Sequence, residues 1–255
     1  MTKKKWFESW FSSQDYLDLY KHRDDVDAKK IVSLIFKHVL LKKKSKVLDL
    51  ACGSGRHSVL FAKKGFYVRG IDLSKYLISQ AKLNLDKEYK RYRSNLQFEI
   101  KDMRKFEYPG EFDLAVNIFT SFGYFENDRD NEKVIKCVSA SLKKNGYFVL
   151  DFLNRYFLLK NLVPFDSAKE KGRLITQLRK IKDNFVVKDI VIIKKHRTKN
   201  IYRLFQEKIR LYTFQDFKRM FYKFGLKITN IFGDYYGNRF SKNISPRLII
   251  FARKV

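Results

Sequence analysis

The chain has 255 residues, of which 45% are hydrophobic, enough to bury a full core in one large domain, or in a domain plus a small appendage, which argues against a disordered chain. Its 55 Lys and Arg against 27 Asp and Glu give a formal net charge of +28, which favours RNA, DNA or another acidic partner, although drift toward a Lys-rich composition gives the same figure. Only Cys52 and Cys137 are present, too few for a disulfide framework or a four-cysteine zinc site.

The sequence also argues against export and membrane insertion. The first eleven residues contain basic side chains but no continuous apolar segment behind them, unlike a secretory signal. No apolar run approaches the roughly 18 residues of a membrane span. We therefore expect a cytoplasmic protein that makes no membrane contact.

The N-terminal part is predicted to be helical. Between residues 6 and 23, aromatic side chains recur every three to four positions, which is the spacing of one helical face. A second helix is expected at about 25–41. Residues 1–45 are therefore predicted to form a helical segment, which either packs as part of the core or covers a site as a lid.

The central stretch, residues 46–74, reads KVLDLACGSGRHSVLFAKKGFYVRGIDLS. An apolar burst meets a glycine turn at Gly53 and Gly55, a short helical pattern follows, and a second apolar burst ends at Asp72. This order of strand, loop, helix and strand makes a parallel pair whose carboxyl ends form a crevice. A nucleoside-bearing cofactor is the leading candidate ligand.

Strands and helices continue to alternate after residue 74, which indicates a doubly wound α/β sheet. From 173 to 211 the pattern changes to successive β-like runs, predicted to be an antiparallel meander with a hairpin turn at Asp183 and Asn184. Thr213 is predicted to cap a later helix, with Asp216 completing a capping box. The three runs of the meander are 173–182, 185–195 and 201–211. The other strands predicted after residue 74 are 96–100, 112–118, 147–152, 226–232 and 247–252, and the other helices are 75–89 and 129–143.

The order of the motifs VLDLACGSG, GIDLS, KDMR and FDLAVNIFTSF resembles that of the class I S-adenosylmethionine-dependent methyltransferases, over roughly residues 46–153. The resemblance implies an α/β fold with a doubly wound, seven-stranded, mostly parallel Rossmann-like sheet. The N-terminal aromatic segment and the inserted meander resemble the bacterial members that place a small antiparallel lid between strand five and its following helix. The implied organisation is a methyltransferase domain at 46–255 with an inserted β lid at 167–211.

A nicotinamide or flavin dinucleotide site is the main alternative for the glycine loop. That fingerprint requires GxGxxG or GxGxxA, but Ser58 stands at the third small position. A pyrophosphate needs a helix N-terminus, whereas the methionine end of S-adenosylmethionine carries cationic groups that an acid can balance. Asp49 is that acid, so the loop favours S-adenosylmethionine as the cofactor.

The resemblance assigns cofactor-binding residues around this loop. Asp49 and the backbone of the loop would meet the methionine portion, and Arg23 would reach its carboxylate from the lid. Asp72 would accept hydrogen bonds from the ribose hydroxyls, and Leu73 would face the adenine. The loop residues implied to make backbone contacts are Ala51, Gly53, Ser54 and Gly55.

Further residues follow the third and fourth strands. The resemblance implies that Asp102 and Met103 bind the adenine, and that Asn117 and Phe119 lie beside the sulfonium. Tyr124 is the residue implied at the catalytic centre, lining the acceptor site. Proton acceptors for an amine or hydroxyl acceptor would be His57, Tyr124 or Asp151. Methyl transfer from a sulfonium requires no metal, and none is predicted.

The acceptor is predicted less directly. Residues 167–210 contain fourteen Lys or Arg and four Asp or Glu, so a lid built from them would favour a small, acidic acceptor. An RNA methyltransferase acting on tRNA or rRNA is the alternative, because the same charge suits phosphates. A third alternative is a catalytically silent RNA-binding or scaffolding protein of this fold. The intact acids at 49, 72 and 102 argue against it.

Overall fold

The computed structural model describes residues 5–20, 25–196 and 199–255. Helices and strands alternate through most of this part of the chain, as the sequence predicts. The helices are α1 Trp6–Trp10, α2 Gln14–Leu19, α3 Asp25–His38, α4 Arg56–Lys63, α5 Lys75–Lys87, α6 Asp128–Ser141, α7 Arg155–Asn161 and α8 Phe214–Lys223. The strands are β1 Lys46–Leu50, β2 Tyr67–Asp72, β3 Leu96–Ile100, β4 Phe112–Asn117, β5 Leu142–Leu153, β6 Phe165–Glu170, β7 Arg173–Lys182, β8 Phe185–His196, β9 Lys199–Arg210, β10 Leu226–Phe232 and β11 Arg247–Lys254.

The main sheet has seven strands in the order β10-β11-β5-β4-β1-β2-β3. β1, β2, β3, β4 and β5 pair in parallel, and β11 runs antiparallel to both of its neighbours. Asp49 is in register with Gly70 on β2 and Val116 on β4, so the ends of these strands meet at one edge. The predicted doubly wound, mostly parallel sheet is confirmed.

Each face of the main sheet carries its own hydrophobic core, because parallel strands are buried on both sides. One core includes Leu48, Phe152 and Phe217. The other includes Val47 of the sheet, Phe61 of α4 and further side chains of α3, α4 and α5. The predicted caps also form. Ser74 Oγ accepts a hydrogen bond from Leu77 N, and Thr213 makes a capping box with Asp216.

The insert between α7 and α8 is a separate antiparallel sheet in the order β6-β7-β8-β9. It has four strands, one more than the three predicted: Phe165 pairs with Leu178, so β6 adds an edge that its polar sequence FDSAKE does not indicate. Asp183 and Asn184 both have positive φ, as a two-residue hairpin turn requires, which confirms that turn. The helix α7 was not predicted.

The helices α1 and α2 pack against one face of this second sheet. Trp10 and Leu19 form a buried cluster with Ile175, Ile190 and Ile192 of β7 and β8. We call residues 5–20, which contain α1 and α2, the roof. No helix in the described ranges is long and apolar enough to cross a membrane.

Candidate active site

The loop after β1 turns sharply beneath the carboxyl edge of the sheet. Ala51, Gly53 and Gly55 have φ of 54°, 57° and 86°, a region in which glycine is unstrained. A side chain at Gly55 would also collide with the ring of Phe98, only 2.4 Å from an ideal Cβ position. Gly55 is therefore required for packing as well as for its backbone conformation, a role that the ligand-based prediction did not include.

Asp72 ties this loop to the end of β2. Its carboxylate accepts hydrogen bonds from Gly53 N at 2.9 Å and from Ser74 N at 2.8 Å. Burial raises the pKa of Asp72, while the backbone hydrogen bonds from Ser74 and Gly53 act in the opposite direction. Two hydrogen bonds leave further lone pairs on the carboxylate for a ligand.

Asp49 lies behind the loop. It is 2% exposed, and its Oδ2 accepts a hydrogen bond of 2.6 Å from Ser58 Oγ. Burial raises the pKa of Asp49 to about 7, with the nearby Asp72 charge adding to the effect and the Ser58 hydrogen bond opposing it. Ser58, which distinguishes the loop from a dinucleotide fingerprint, thus serves as the partner of this acid.

Two adjoining cavities lie above the loop. The smaller, about 60 Å³, is a slot lined by Asp72, Asp102 and apolar side chains that include Leu73 and Met103. The larger, about 570 Å³, reaches from the loop to the end of β4 and the roof. The residues that line both cavities are Phe11, Tyr16, Ala51, Gly53, Ser121 and Tyr124.

The predicted site residues are distributed unevenly around these cavities. Ser54 and Phe119 line the larger cavity, whereas Asp49, Gly55 and Asn117 line neither. Asn117 is 1% exposed and donates from Nδ2 to Leu50 O and Ser121 O, so it braces the strand ends. Arg23 lies outside the described residues.

Asp102 forms a tight ion pair beside the slot. Arg104 donates to both of its carboxylate oxygens, with Nη2 at 2.6 Å from Oδ2. Burial acts to raise the pKa of Asp102, but the Arg104 guanidinium outweighs it and the pKa is lowered. The carboxylate is therefore ionised and held in one orientation at the edge of the slot.

Phe119 and Thr120 form a strained turn after β4, with φ of 60° and 62°. A β-branched residue at positive φ is a genuine outlier. Phe119 N donates to Asp151 Oδ2 at 2.9 Å, and Thr120 N donates to the Asp151 backbone oxygen at 3.0 Å. Both residues line the larger cavity.

Two residues that the sequence analysis missed complete this arrangement. Arg247 donates to Asp151 Oδ1 and to Thr120 Oγ1, and Tyr235 donates to Asp151 Oδ2 at 2.8 Å. Asp151 is fully buried. Arg247 follows Asp151 by 96 residues, and only the antiparallel pairing of β11 with β5 brings the two together, so no local pattern signals the contact.

Tyr124 stands where the roof meets the cavities. Its ring is 5.2 Å from that of Trp6 and 5.6 Å from that of Phe11. Burial raises the pKa of Tyr124, and the neighbouring Tyr16 adds to this, so the phenol stays protonated. Tyr124 can shape the cavity and donate a hydrogen bond, but the phenolate needed for a base is disfavoured.

His57 lines the larger cavity and is 7% exposed, with its ring 5.0 Å from that of Phe119. Burial lowers the pKa of His57 to about 3, and Arg56 adds to the effect, so the imidazole is neutral. Its Nε2 has no hydrogen-bond partner among the described residues.

The insert contributes little charge to the larger cavity. Among its described residues only Glu207 and Ile209 line it, and the Glu207 carboxylate is 2.6 Å from Lys188 Nζ. Glu207 also accepts hydrogen bonds from Trp10 Nε1 at 2.8 Å and Tyr20 OH at 2.5 Å. None of the basic side chains described in the insert lines this cavity; Lys188 is instead paired with Glu207, and Arg173 and Arg203 are paired with Asp15 of the roof.

Comparisons with known proteins agree on one family. A family model described as a methyltransferase domain matches residues 41–216. A putative methyltransferase of Bacillus subtilis, YqeM, is 30% identical over 139 residues, 54% of each chain. The chain spans about half the length of the curated relatives it matches.

Solved structures show the same fold at lower identity. An S-adenosylmethionine-dependent methyltransferase from Clostridium acetobutylicum has a TM-score of 0.78 at 21% identity, covering 94% of this chain and 98% of that one. CalS10, an amino pentose methyltransferase from Micromonospora echinaspora with bound S-adenosylmethionine, has a TM-score of 0.69 at 17% identity, covering 95% and 98%.

Proposed function

Because the chain belongs to the class I S-adenosylmethionine-dependent methyltransferases, we propose that it methylates a nitrogen or oxygen nucleophile of a small molecule. When bound, S-adenosylmethionine supplies a methyl group on a sulfonium, a good leaving group, so the protein chiefly has to align the nucleophile. The observation that carries the proposal is the cavity of about 570 Å³ adjoining the slot at Asp72, within the volume range typical of small-ligand sites.

The residues of the slot suit an adenosyl group, but a volume of about 60 Å³ is too small for a nucleoside, so the roof side chains Phe7, Phe11 and Tyr16 would have to shift to admit it. Asp72 offers carboxylate oxygens for two adjacent ribose hydroxyls, and Leu73 and Met103 supply apolar surface for the base. Asp102 would accept from the adenine amino group with the oxygen capacity left by Arg104. Ala51, Gly53 and Ser54 would then contact the methionine portion along the loop into the larger cavity.

The methionine end would lie where the two cavities meet. The shared residues Ser121 and Tyr124 would therefore stand beside the transferred methyl group, with Phe119 across the larger cavity. Tyr124 would orient the acceptor as a protonated phenol. Asp49, which lines neither cavity, would act through the loop rather than by direct contact.

The walls of the larger cavity suggest the character of the acceptor. Trp6, Tyr16, Tyr20 and Phe119 provide aromatic surface; the charged residues of the wall are Glu207, which is paired with Lys188, and Arg56, whose guanidinium lies 5.1 Å from the centre of the Phe119 ring. We therefore propose an acceptor with an apolar or ring-shaped body and a nucleophilic amine or hydroxyl, with no requirement for net negative charge. An amino sugar, the substrate class in the name of CalS10, fits this description.

RNA is the second candidate because the net charge of +28 favours binding to phosphates. Labelled S-adenosylmethionine and a fractionated cell extract distinguish the two, with and without ribonuclease, using Asp72→Ala as the inactive control. We expect the label in a low-molecular-weight fraction that ribonuclease does not affect. Label confined to the ribonuclease-sensitive fraction would overturn the small-molecule proposal.

A further inference from the structure

We propose that Arg247 and Tyr235 are positioning residues that hold the Asp151 carboxylate against the strained Phe119–Thr120 turn and so shape the acceptor side of the active site. Neither residue lines the two cavities, so they act through the turn and not on a ligand. The consequence for the acceptor rests on the proposed function. The clamp itself, by which we mean the contacts of Arg247 and Tyr235 with Asp151 and of Asp151 with the turn, can be tested without it.

The turn needs an external constraint. Two consecutive non-glycine residues have left-handed backbones, and Thr120 is β-branched, a combination that persists only where the surroundings hold it. Both backbone amides are fixed by one residue, since Phe119 N donates to the Asp151 side chain and Thr120 N to the Asp151 main chain. Asp151 is thus the anchor of the turn.

Arg247 and Tyr235 in turn determine the position of that anchor. Arg247 Nε and Nη2 lie 2.8 and 2.7 Å from Asp151 Oδ1, and Tyr235 OH lies 2.8 Å from Oδ2. Arg247 also donates to Thr120 Oγ1 at 3.0 Å, so it contacts both the anchor and the turn. A fully buried carboxylate requires such partners, because an unpaired buried charge is costly.

The location of the turn gives the clamp a specific effect. Ile118, Phe119 and Thr120 line the larger cavity and not the slot at Asp72, and only Ser121 of this segment borders both. Loosening the turn should therefore disturb acceptor alignment far more than nucleoside binding. Since all these contacts occupy the Asp151 oxygens, Asp151 serves as an anchor and not as a proton acceptor for the reaction.

The test uses Arg247→Lys and Tyr235→Phe, which keep the charge and the ring but remove hydrogen bonds. Matched controls are Arg253→Lys, the same change on the same strand at a site bonded to Asn145 O, and Tyr236→Phe at an exposed neighbour. Three quantities are measured: S-adenosylhomocysteine affinity by calorimetry, label transfer to the extract fraction, and amide hydrogen exchange of peptides covering residues 118–121.

We expect both test variants to bind S-adenosylhomocysteine within about threefold of the parent, while label transfer falls about tenfold and exchange in 118–121 rises about tenfold, as for the loss of one buried hydrogen bond to a charged group. The controls should match the parent. Unchanged exchange, unchanged transfer, or a loss of S-adenosylhomocysteine affinity equal to the loss of transfer would each overturn the proposal. If the parent transfers no label, the proposed function fails and exchange alone decides the clamp.

Discussion

At the scale of single residues, we propose that the Asp72 carboxylate combines a structural task with cofactor binding. It holds the glycine loop through Gly53 N and the start of α5 through Ser74 N, and it faces the slot. An isosteric change separates these tasks better than truncation, because an asparagine oxygen can still accept one backbone hydrogen bond.

Asp72→Asn should weaken S-adenosylmethionine binding by roughly 10- to 100-fold, the effect of losing one charged hydrogen bond of about 1.5–3 kcal/mol. Calorimetry measures the affinity, and thermal unfolding checks that the variant folds. Asp86→Asn, at an exposed acid paired with Arg93, is the matched control. Equal affinities for Asp72→Asn and the parent would show that this carboxylate does not bind the cofactor.

Asp49 makes stability depend on pH. Its folded pKa of about 7 lies above the unfolded value of about 3.9, so the folded state retains a proton that the unfolded state has lost. The associated stability is present below about pH 4 and is lost as pH rises to about 7.

In Asp49→Asn we expect this loss to disappear, because the amide cannot ionise but can still accept from Ser58. Thermal midpoints of parent and variant, measured from pH 5 to 8, should diverge in favour of the variant as pH rises. Asp86→Asn should run parallel to the parent. A constant difference between parent and Asp49→Asn across the range would contradict the pKa assignment.

At the scale of elements, buried ion pairs join the roof to the inserted sheet. Asp15, 3% exposed, is paired with Arg173 on β7 and Arg203 on β9, and Asp18 lies 2.7 Å from Arg173. Contacts of the roof with the main domain include Ser74 Oγ donating to Phe11 O. We propose that the N-terminal segment and the insert act together as one lid.

Arg173→Met should loosen the roof, because the buried Asp15 then keeps only Arg203 as a cationic partner and Asp18 loses its contact with Arg173. Hydrogen exchange of residues 6–20 should increase, and S-adenosylhomocysteine affinity should fall because Phe7, Phe11 and Tyr16 cover the slot. Arg179→Met, on the same strand but paired with the half-exposed Asp166, is the control. Equal hydrogen exchange of residues 6–20 in the two variants would contradict the proposal that the N-terminal segment and the insert act together as one lid.

At the scale of the whole molecule, most of the Lys and Arg side chains behind the net charge of +28 that the structure describes lie outside the two cavities. Such a charge attracts polyanions whether or not they are substrates, and salt screens the attraction.

We expect bulk tRNA to bind at about 50 mM salt and to lose affinity steeply by about 200 mM, as counterion release requires. Gel-shift titrations at several salt concentrations measure this slope, with label transfer to the small-molecule fraction followed in parallel. Tight RNA binding that persists at about 200 mM and competes with the label transfer would favour RNA as the acceptor.

The sequence by itself determined the main sheet and the glycine turn after its first strand, because both depend on local patterns. Apolar bursts separated by helical periods predict parallel strands, and Gly53, Gly55 and Asp72 mark where their ends meet. The extra strand β6 and the helix α7 lack such patterns, so local reasoning did not find them.

Only the tertiary structure decided what surrounds the cavities. Glu207 meets Trp10 across nearly two hundred residues, Arg247 reaches Asp151 through antiparallel pairing, and the basic residues described in the insert pair with acids instead of lining the cavity. Contacts of this kind leave no periodic signal, because they depend on how separate elements pack and on which face of a strand each side chain occupies.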